Sequence, residues 1–150
     1  MCGGIIYNMM KIPKKELKKF YDDKEIAKFE ESGKFESYFW SKKPVLPIEK
    51  EGKIELKSWG NRDKDIKLPK TGWAKVESVE AGKWKYLDPE PVSILADKGY
   101  EKGVWFETKK GGFKGLLVNK DKNERVYMMT KPADKDYLEL TKHNREPVDI

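Results

Sequence analysis

The sequence holds one cysteine, Cys2, and one histidine, His143, in 150 residues. A single cysteine excludes an intramolecular disulfide and a cysteine-rich zinc site. It points to a reducing compartment, so a cytoplasmic protein is expected. A single histidine excludes a histidine-based metal site and a two-histidine relay, and no metal or cofactor is expected. Arginine is also scarce: among 32 basic residues only Arg62, Arg125 and Arg145 carry a guanidinium. Lysine meets phosphate as a flexible point charge rather than as a bidentate fork. No apolar run approaches membrane length. The stretch from Gly3 to Met10 is too short for a secretory signal and lacks its basic lead-in. P-loop, dinucleotide-binding glycine fingerprint, His-x-x-x-His pair and Gly-x-Ser-x-Gly elbow are all absent. No repeat, low-complexity segment or linker breaks the chain, so residues 1–150 are expected to form a single domain.

What is present is charge and aromatic surface. Charged residues make up 39% of the chain, hydrophobic ones 37% and aromatics 12%, with a formal net charge of +6. The aromatics supply burial that a disordered polar chain lacks. A lysine-rich surface suits sequence-independent attraction to nucleic acid. It equally suits an ordinary lysine-rich soluble protein.

Gly4-Ile5-Ile6-Tyr7 reads as a short buried strand. Leu17, Phe20, Tyr21 and Ala27 or Lys28 fall near helical spacing between Pro13 and Gly33, with Ile26 and Phe29 beside them, which predicts one amphipathic helix from about Lys14 to Glu31. Phe35 to Trp40 and Pro44 to Ile48 read as edge strands, since proline is tolerated there. A turn at Glu51-Gly52-Lys53 leads into the alternating strand Ile54 to Trp59. Further strands are expected at Trp73–Val79, Val92–Ala96, Val104–Thr108, Gly115–Asn119 and Arg125–Thr130, and a short helix between Pro132 and Leu140. The sum is an α+β domain with a mainly antiparallel, β-barrel-like core and one or two flanking helices.

The chemistry centres on the first four residues. Removal of Met1 would leave Cys2 with an amine and a thiol on neighbouring carbons. These groups titrate near pH ~8 and ~8.5, so both are partly nucleophilic at neutral pH. Such a pair condenses with an aldehyde, the amine giving an imine and the thiol closing a five-membered thiazolidine. Gly3 and Gly4 allow close approach to the backbone. His143, in Thr141-Lys142-His143-Asn144-Arg145-Glu146-Pro147, offers the complementary proton chemistry.

Met1-Cys2-Gly3 at one end and His143-Asn144-Arg145-Glu146-Pro147 at the other resemble the SOS response-associated peptidase family of abasic-site processing proteins. Between them lie Trp59-Gly60, then Ala74-Lys75-Val76-Glu77-Ser78, similar to the family's Asn-Ala-Arg-x-Glu-Thr. Trp105-Phe106-Glu107 is similar to its Gly-Phe-Tyr-Glu-Trp, and Thr130-Lys131-Pro132-Ala133 to its Thr-x-x-Ala. The matches occur in the family's order across nearly the whole chain.

The resemblance implies autocatalytic removal of Met1 and covalent capture of abasic sites in single-stranded DNA, by a monomer. It implies Cys2 as nucleophile, Glu107 as acid/base near the Cys2 amine, and His143 as proton donor to the sugar oxygen. Gly99-Tyr100-Glu101 is a competing match for the glutamate; Glu107 is preferred because Val92–Ala96 and Val104–Glu107 read as two strands with an expanded turn between them. Gly3, Gly4, Trp73, Lys75, Thr130 and Arg145 would contact the strand, Lys75 and Arg145 through phosphates, while Trp59 would stack on exposed bases. Several positions depart from the family pattern. Gly4 replaces an arginine, Trp73 an asparagine that orients the cysteine amine, Thr108 a tryptophan and Glu146 a methionine. Trp73 is not expected to do the asparagine's work, for which Asn8, Asn61 and Asn144 are the candidates. Two other readings stay open: a noncovalent single-strand-binding module, and a cysteine peptidase acting in trans.

Overall fold

The computed structural model describes residues 2–150. In chain order the first half holds β1 (Gly4–Asn8), α1 (Lys14–Leu17), α2 (Asp23–Ser32), β2 (Lys34–Tyr38), β3 (Val45–Lys50), β4 (Lys53–Ser58), β5 (Trp73–Lys75) and α3 (Val76–Glu80). The second half holds β6 (Glu90–Leu95), β7 (Lys98–Glu101), β8 (Val104–Glu107), β9 (Gly112–Lys120), β10 (Asn123–Pro132), α4 (Lys135–Thr141) and β11 (Arg145–Pro147). A smaller sheet runs β2-β1-β7-β8 and a larger one β11-β10-β9-β6-β3-β4, with β5 added in parallel beside β10. Among the described residues all other strand ladders are antiparallel. The fold is thus α+β and mostly antiparallel.

The expected barrel does not close. A parallel bridge from Trp59, just beyond β4, to Val126 of β10 curls the larger sheet back on itself, but among the described residues no ladder joins the two edges. The main core instead fills the space between the sheets. Ile5, Tyr7 and Phe35 face Leu46, Ile48, Ile94, Phe113, Val126 and Met128 across it. Strands β9 and β10 are buried on both sides, which explains the unbroken run Leu116-Leu117-Val118. Leu116, Val118 and Tyr127 turn to a second cluster with Trp84, Leu87 and Ala74. Among the described residues no helix is long and apolar enough to cross a membrane.

Four further expectations change. The helix predicted over Lys14–Glu31 is two helices, because Asp22 starts a new one. Its carboxylate accepts from the Glu25 amide at 2.8 Å while the Glu25 side chain caps the Asp22 amide at 3.0 Å. The strand predicted over Trp73–Val79 ends at Lys75 and becomes α3. Strand β3 lies inside its sheet rather than at an edge; Pro47 is tolerated because the ladder to β6 covers only Ile48 and Glu49. Finally, an extra strand, β7, fills what the sequence suggested was an expanded turn. It pairs with β8 through a two-residue turn in which Lys102 and Gly103 both take positive φ, 47° and 83°, the twist that suits a tight hairpin.

Candidate functional site

The N-terminal segment is threaded into the smaller sheet. The Gly3 amide donates to the Tyr100 carbonyl at 2.8 Å, and the Gly3 carbonyl accepts from the Phe39 amide at 3.0 Å. Both glycines lie directly beneath aromatic rings on the outer face. A Cβ at Gly4 would sit 2.5 Å from the Tyr38 ring, and one at Gly3 would sit 3.0 Å from Trp40. Two successive residues facing the same side break the strand alternation, so Cys2 turns to the inner face. There it is fully buried. Its thiol donates to the Gly4 carbonyl at 3.0 Å and lies against Gly99, where a Cβ would stand 3.0 Å from Sγ. Burial pushes the thiol up to about 12, and the negative charge of Glu101 adds to the rise. The predicted cleavage after Met1 falls on a residue outside the described ones.

Trp73 anchors this arrangement. Its indole Nε1 donates to the Cys2 carbonyl at 2.8 Å. Trp73 therefore holds Cys2 through its carbonyl rather than through its amine. Asn8 caps a short turn through the Met10 amide, and the Asn61 amide is spent on the carbonyls of Asp63, Ile66 and Leu68.

Glu101, rather than Glu107, accompanies Cys2 and His143. On β7 the alternation puts Gly99 and Glu101 on one face, toward Cys2. On β8 it puts Phe106 over Gly99 and turns Glu107 away, paired with Lys98. Glu107 is exposed and lines a cleft of about 180 Å³ with Lys109, Asp134 and Asp136. Glu101 is 7% exposed, and its carboxylate lies 4.0 Å from His143 Nδ1. The assignment to Glu107 followed from reading β7 as a turn, and the extra strand removes its basis.

His143 leaves α4 through a left-handed residue, Lys142. Its amide donates to Thr141 Oγ1 at 3.2 Å, and Nδ1 accepts from the Arg145 amide at 3.1 Å. Nδ1 being an acceptor, the proton of the neutral ring sits on Nε2, where it can be donated outward. Burial lowers the imidazole's pKa, with Lys102 contributing in the same direction, so neutral His143 prevails at pH 7.

The expected strand contacts separate sharply. Lys75 is exposed and available to a phosphate. Arg145 is tied to Glu77 by two bonds, 2.7 and 3.0 Å, and also donates to the Thr130 carbonyl and hydroxyl. That pairing also lowers the Glu77 pKa, chiefly through the guanidinium hydrogen bonds. Thr130 is fully buried and serves to hold Arg145. Trp59 is 1% exposed, with Nε1 bonded to the Gly72 carbonyl, so it cannot stack on a base as expected. Trp73 packs between Phe39 and Trp59. Gly3 and Gly4 face rings rather than open space.

The sequence reading ranked Glu101 behind Glu107, and it missed Tyr137 and the rings over Gly3 and Gly4. Tyr137 is buried beside Phe106, at 5.2 Å between ring centres; burial, then Cys2 and Glu101, raises its pKa. Its position in an amphipathic α4 gave no signal of that neighbourhood. No family model matches the chain, and no curated protein matches it. Among the described residues no cluster of three or more histidine, cysteine or carboxylate side chains is arranged to hold a metal.

Proposed function

We propose that the protein captures abasic sites in single-stranded DNA through Cys2, once Met1 has been removed. The observation that carries this reading is the gathering of Cys2, Glu101 and His143, far apart in sequence, at one inner corner of the smaller sheet. In the open-ring sugar the Cys2 amine adds to C1′ and water leaves, giving an imine. The thiol then adds across the C=N bond; sulfur bonds to C1′, and the sulfur proton passes to nitrogen. Glu101 is placed to relay that proton, and the Nε2–H of neutral His143 to donate to the sugar oxygen. The buried thiol need not meet the aldehyde from solution. The amine on the adjacent carbon delivers C1′ to it, so closure is intramolecular. The family resemblance supports the same chemistry, with Glu101 in place of Glu107.

A denaturing gel tests the proposal. Protein lacking Met1 by intact mass should give a heat-stable crosslink to an abasic oligonucleotide, and Cys2→Ala should not. A Cys2→Ala protein that crosslinks as stably as the parent would sink it.

A second reading, a noncovalent single-strand binder, draws support from the fully buried thiol and from Arg145 being held by Glu77. Undiminished binding with no crosslink in Met1-free protein would favour it.

A further inference from the structure

The outer face of the smaller sheet carries a feature that capture chemistry does not use. Cross-strand pairing sets Tyr38, Gly4, Tyr100 and Trp105 in one row across β2, β1, β7 and β8. Trp40 folds back over the row at the Gly3 position, stacked on Tyr38 with centroids 4.9 Å apart and planes 28° apart. Tyr100 meets Trp105 at 4.8 Å and Trp40 at 5.9 Å, both edge-on. Yet Trp40 is 59% exposed and Trp105 36%. Gly4 makes room for this row, since any side chain there would strike the Tyr38 ring. Large apolar rings held rigidly at a surface need a reason, because a chain this polar has ample residues to cover it.

We propose that this row is a stacking platform for unpaired bases of a DNA strand. A four-stranded sheet presenting rings on its open face offers π surfaces at strand spacing, on which successive bases stack irrespective of sequence. Charge complementarity selects the occupant. Lys42 and Lys43 follow Trp40 after Ser41, and Arg62 donates to the carbonyls of Ser41 and Lys42, with its guanidinium 5.6 Å from the Phe39 ring centre. These three cations and Arg125 line an adjoining cleft of about 460 Å³ whose only carboxylate is Asp63. Beyond the Tyr100–Trp105 pair, Lys102 occupies the exposed β7–β8 turn, its ammonium 3.5 Å from the Lys142 carbonyl. Lys42 and Lys43 also border a second cleft, which Tyr38 lines together with Asp22, Glu25 and Glu36, so the cationic flank of the row is the Arg62 side, where phosphates would lie beside stacked bases.

The proposal rests on the reading of a single-stranded substrate, but not on the thiol chemistry. The platform overlies the segment that carries Cys2, so bases beside a lesion would be held on one face while the sugar is drawn to the edge.

The test uses Cys2→Ala protein, which cannot close a thiazolidine, and undamaged fluorescein-labelled oligo-dT, with a duplex and an oligo-U of equal length alongside. Trp40→Ala with Trp105→Ala should weaken oligo-dT binding roughly 5- to 100-fold for each base unstacked. Duplex binding should be unchanged, and Trp40→Phe should restore most of the loss. Strand binding should also quench tryptophan emission in the Trp-replete protein. Unchanged oligo-dT affinity, or duplex binding as tight as single-strand binding, would overturn the proposal. Tenfold tighter oligo-U binding would overturn the choice of DNA. If oligo-dT binds as described while the Met1-free parent fails to crosslink an abasic strand, the platform stands and the Cys2 reading falls.

Discussion

The two faces of one four-stranded sheet could hardly be treated more differently by this chain. The inner face at Cys2 is closed: the thiol and Phe106 pack against Gly99, and the thiol keeps its proton. The outer face, one residue away along the same strand, is open and ringed with aromatics. Gly3 and Gly4 are the hinge between them, because two residues facing outward in succession force Cys2 inward. Under the proposed function, the difference would separate reactivity, which needs exclusion of water and fixed neighbours, from strand binding, which needs exposed π surface and charge. Each face can then be damaged without the other.

The largest expected effect breaks the inner face alone. Glu101→Gln should slow crosslinking of Met1-free protein by ~10²–10⁴-fold, the usual contribution of a well-placed acid or base. Glu107→Gln, on the exposed side of β8, should leave the rate unchanged. Oligo-dT binding should be the same in both. A time course in which Glu107→Gln is the slow variant would return the assignment to the original motif match.

Next in size is the state of the thiol. With its pKa pushed up from 9.0 to about 12, folded Cys2 holds roughly 10³-fold less thiolate at neutral pH than an exposed cysteine. Iodoacetamide should therefore label it only on denaturation. The linked stability has a definite sign: the folded state keeps the proton that the unfolded chain loses near pH 9. This contribution is present below pH 9 and is lost as pH rises from 9 toward 12. Rapid native labelling at pH 7.5 would show that the inner face opens freely.

Gly99→Ala sharpens the comparison at smaller cost. A Cβ there would stand 2.4 Å from the Phe106 ring and 3.0 Å from the Cys2 thiol. Overpacking of this kind costs about 1–3 kcal/mol, visible as a lowered midpoint in urea. The outer rings should be untouched and oligo-dT affinity retained. A fully stable Gly99→Ala protein would mean that Phe106 and Cys2 have room to move.

How much of this was legible from the residues depends on the scale of the signal. Long alternating or continuous stretches such as Ile54–Ser58 and Leu116–Val118 announced their strands. Glu51-Gly52 announced its turn. Strand β7 did not, because Lys98-Gly99-Tyr100-Glu101 is short, contains a glycine and turns at Lys102-Gly103, where lysine is an unusual choice for positive φ. That omission alone moved the acid from Glu101 to Glu107. The break at Asp22 was written in the chain as Asp-x-x-Glu, but the surrounding apolar spacing outweighed it. Trp59 illustrates a limit of composition: a tryptophan beside a glycine reads the same whether it stacks on a ligand or fills a core. Here the burial settles it. Cys2 and His143, by contrast, stood out through scarcity, and scarcity needs no knowledge of topology.

The smallest expected effect concerns Arg145, the one guanidinium that borders the inner corner. Its two-pronged pairing with Glu77 gives the carboxylate the position a phosphate would take, while Thr130 fixes the fork from behind. Glu77 is itself exposed, so the pair is reachable from solvent. Glu77→Gln removes the negative charge but keeps the size and one acceptor. The guanidinium then has charge to spare for a strand, and single-strand affinity should rise modestly. One more neutralised phosphate should steepen the slope of log K against log salt by about 0.7. Arg145→Ala in the same background should cancel that change, since no cation is left to engage. Trp40→Ala should instead lower affinity without altering the slope, because stacking releases no counterions. If Glu77→Gln leaves the slope where it was, Arg145 is a strut for α3 and β11 rather than a contact for the strand. Strand binding would then belong to the outer face and its flanking lysines alone.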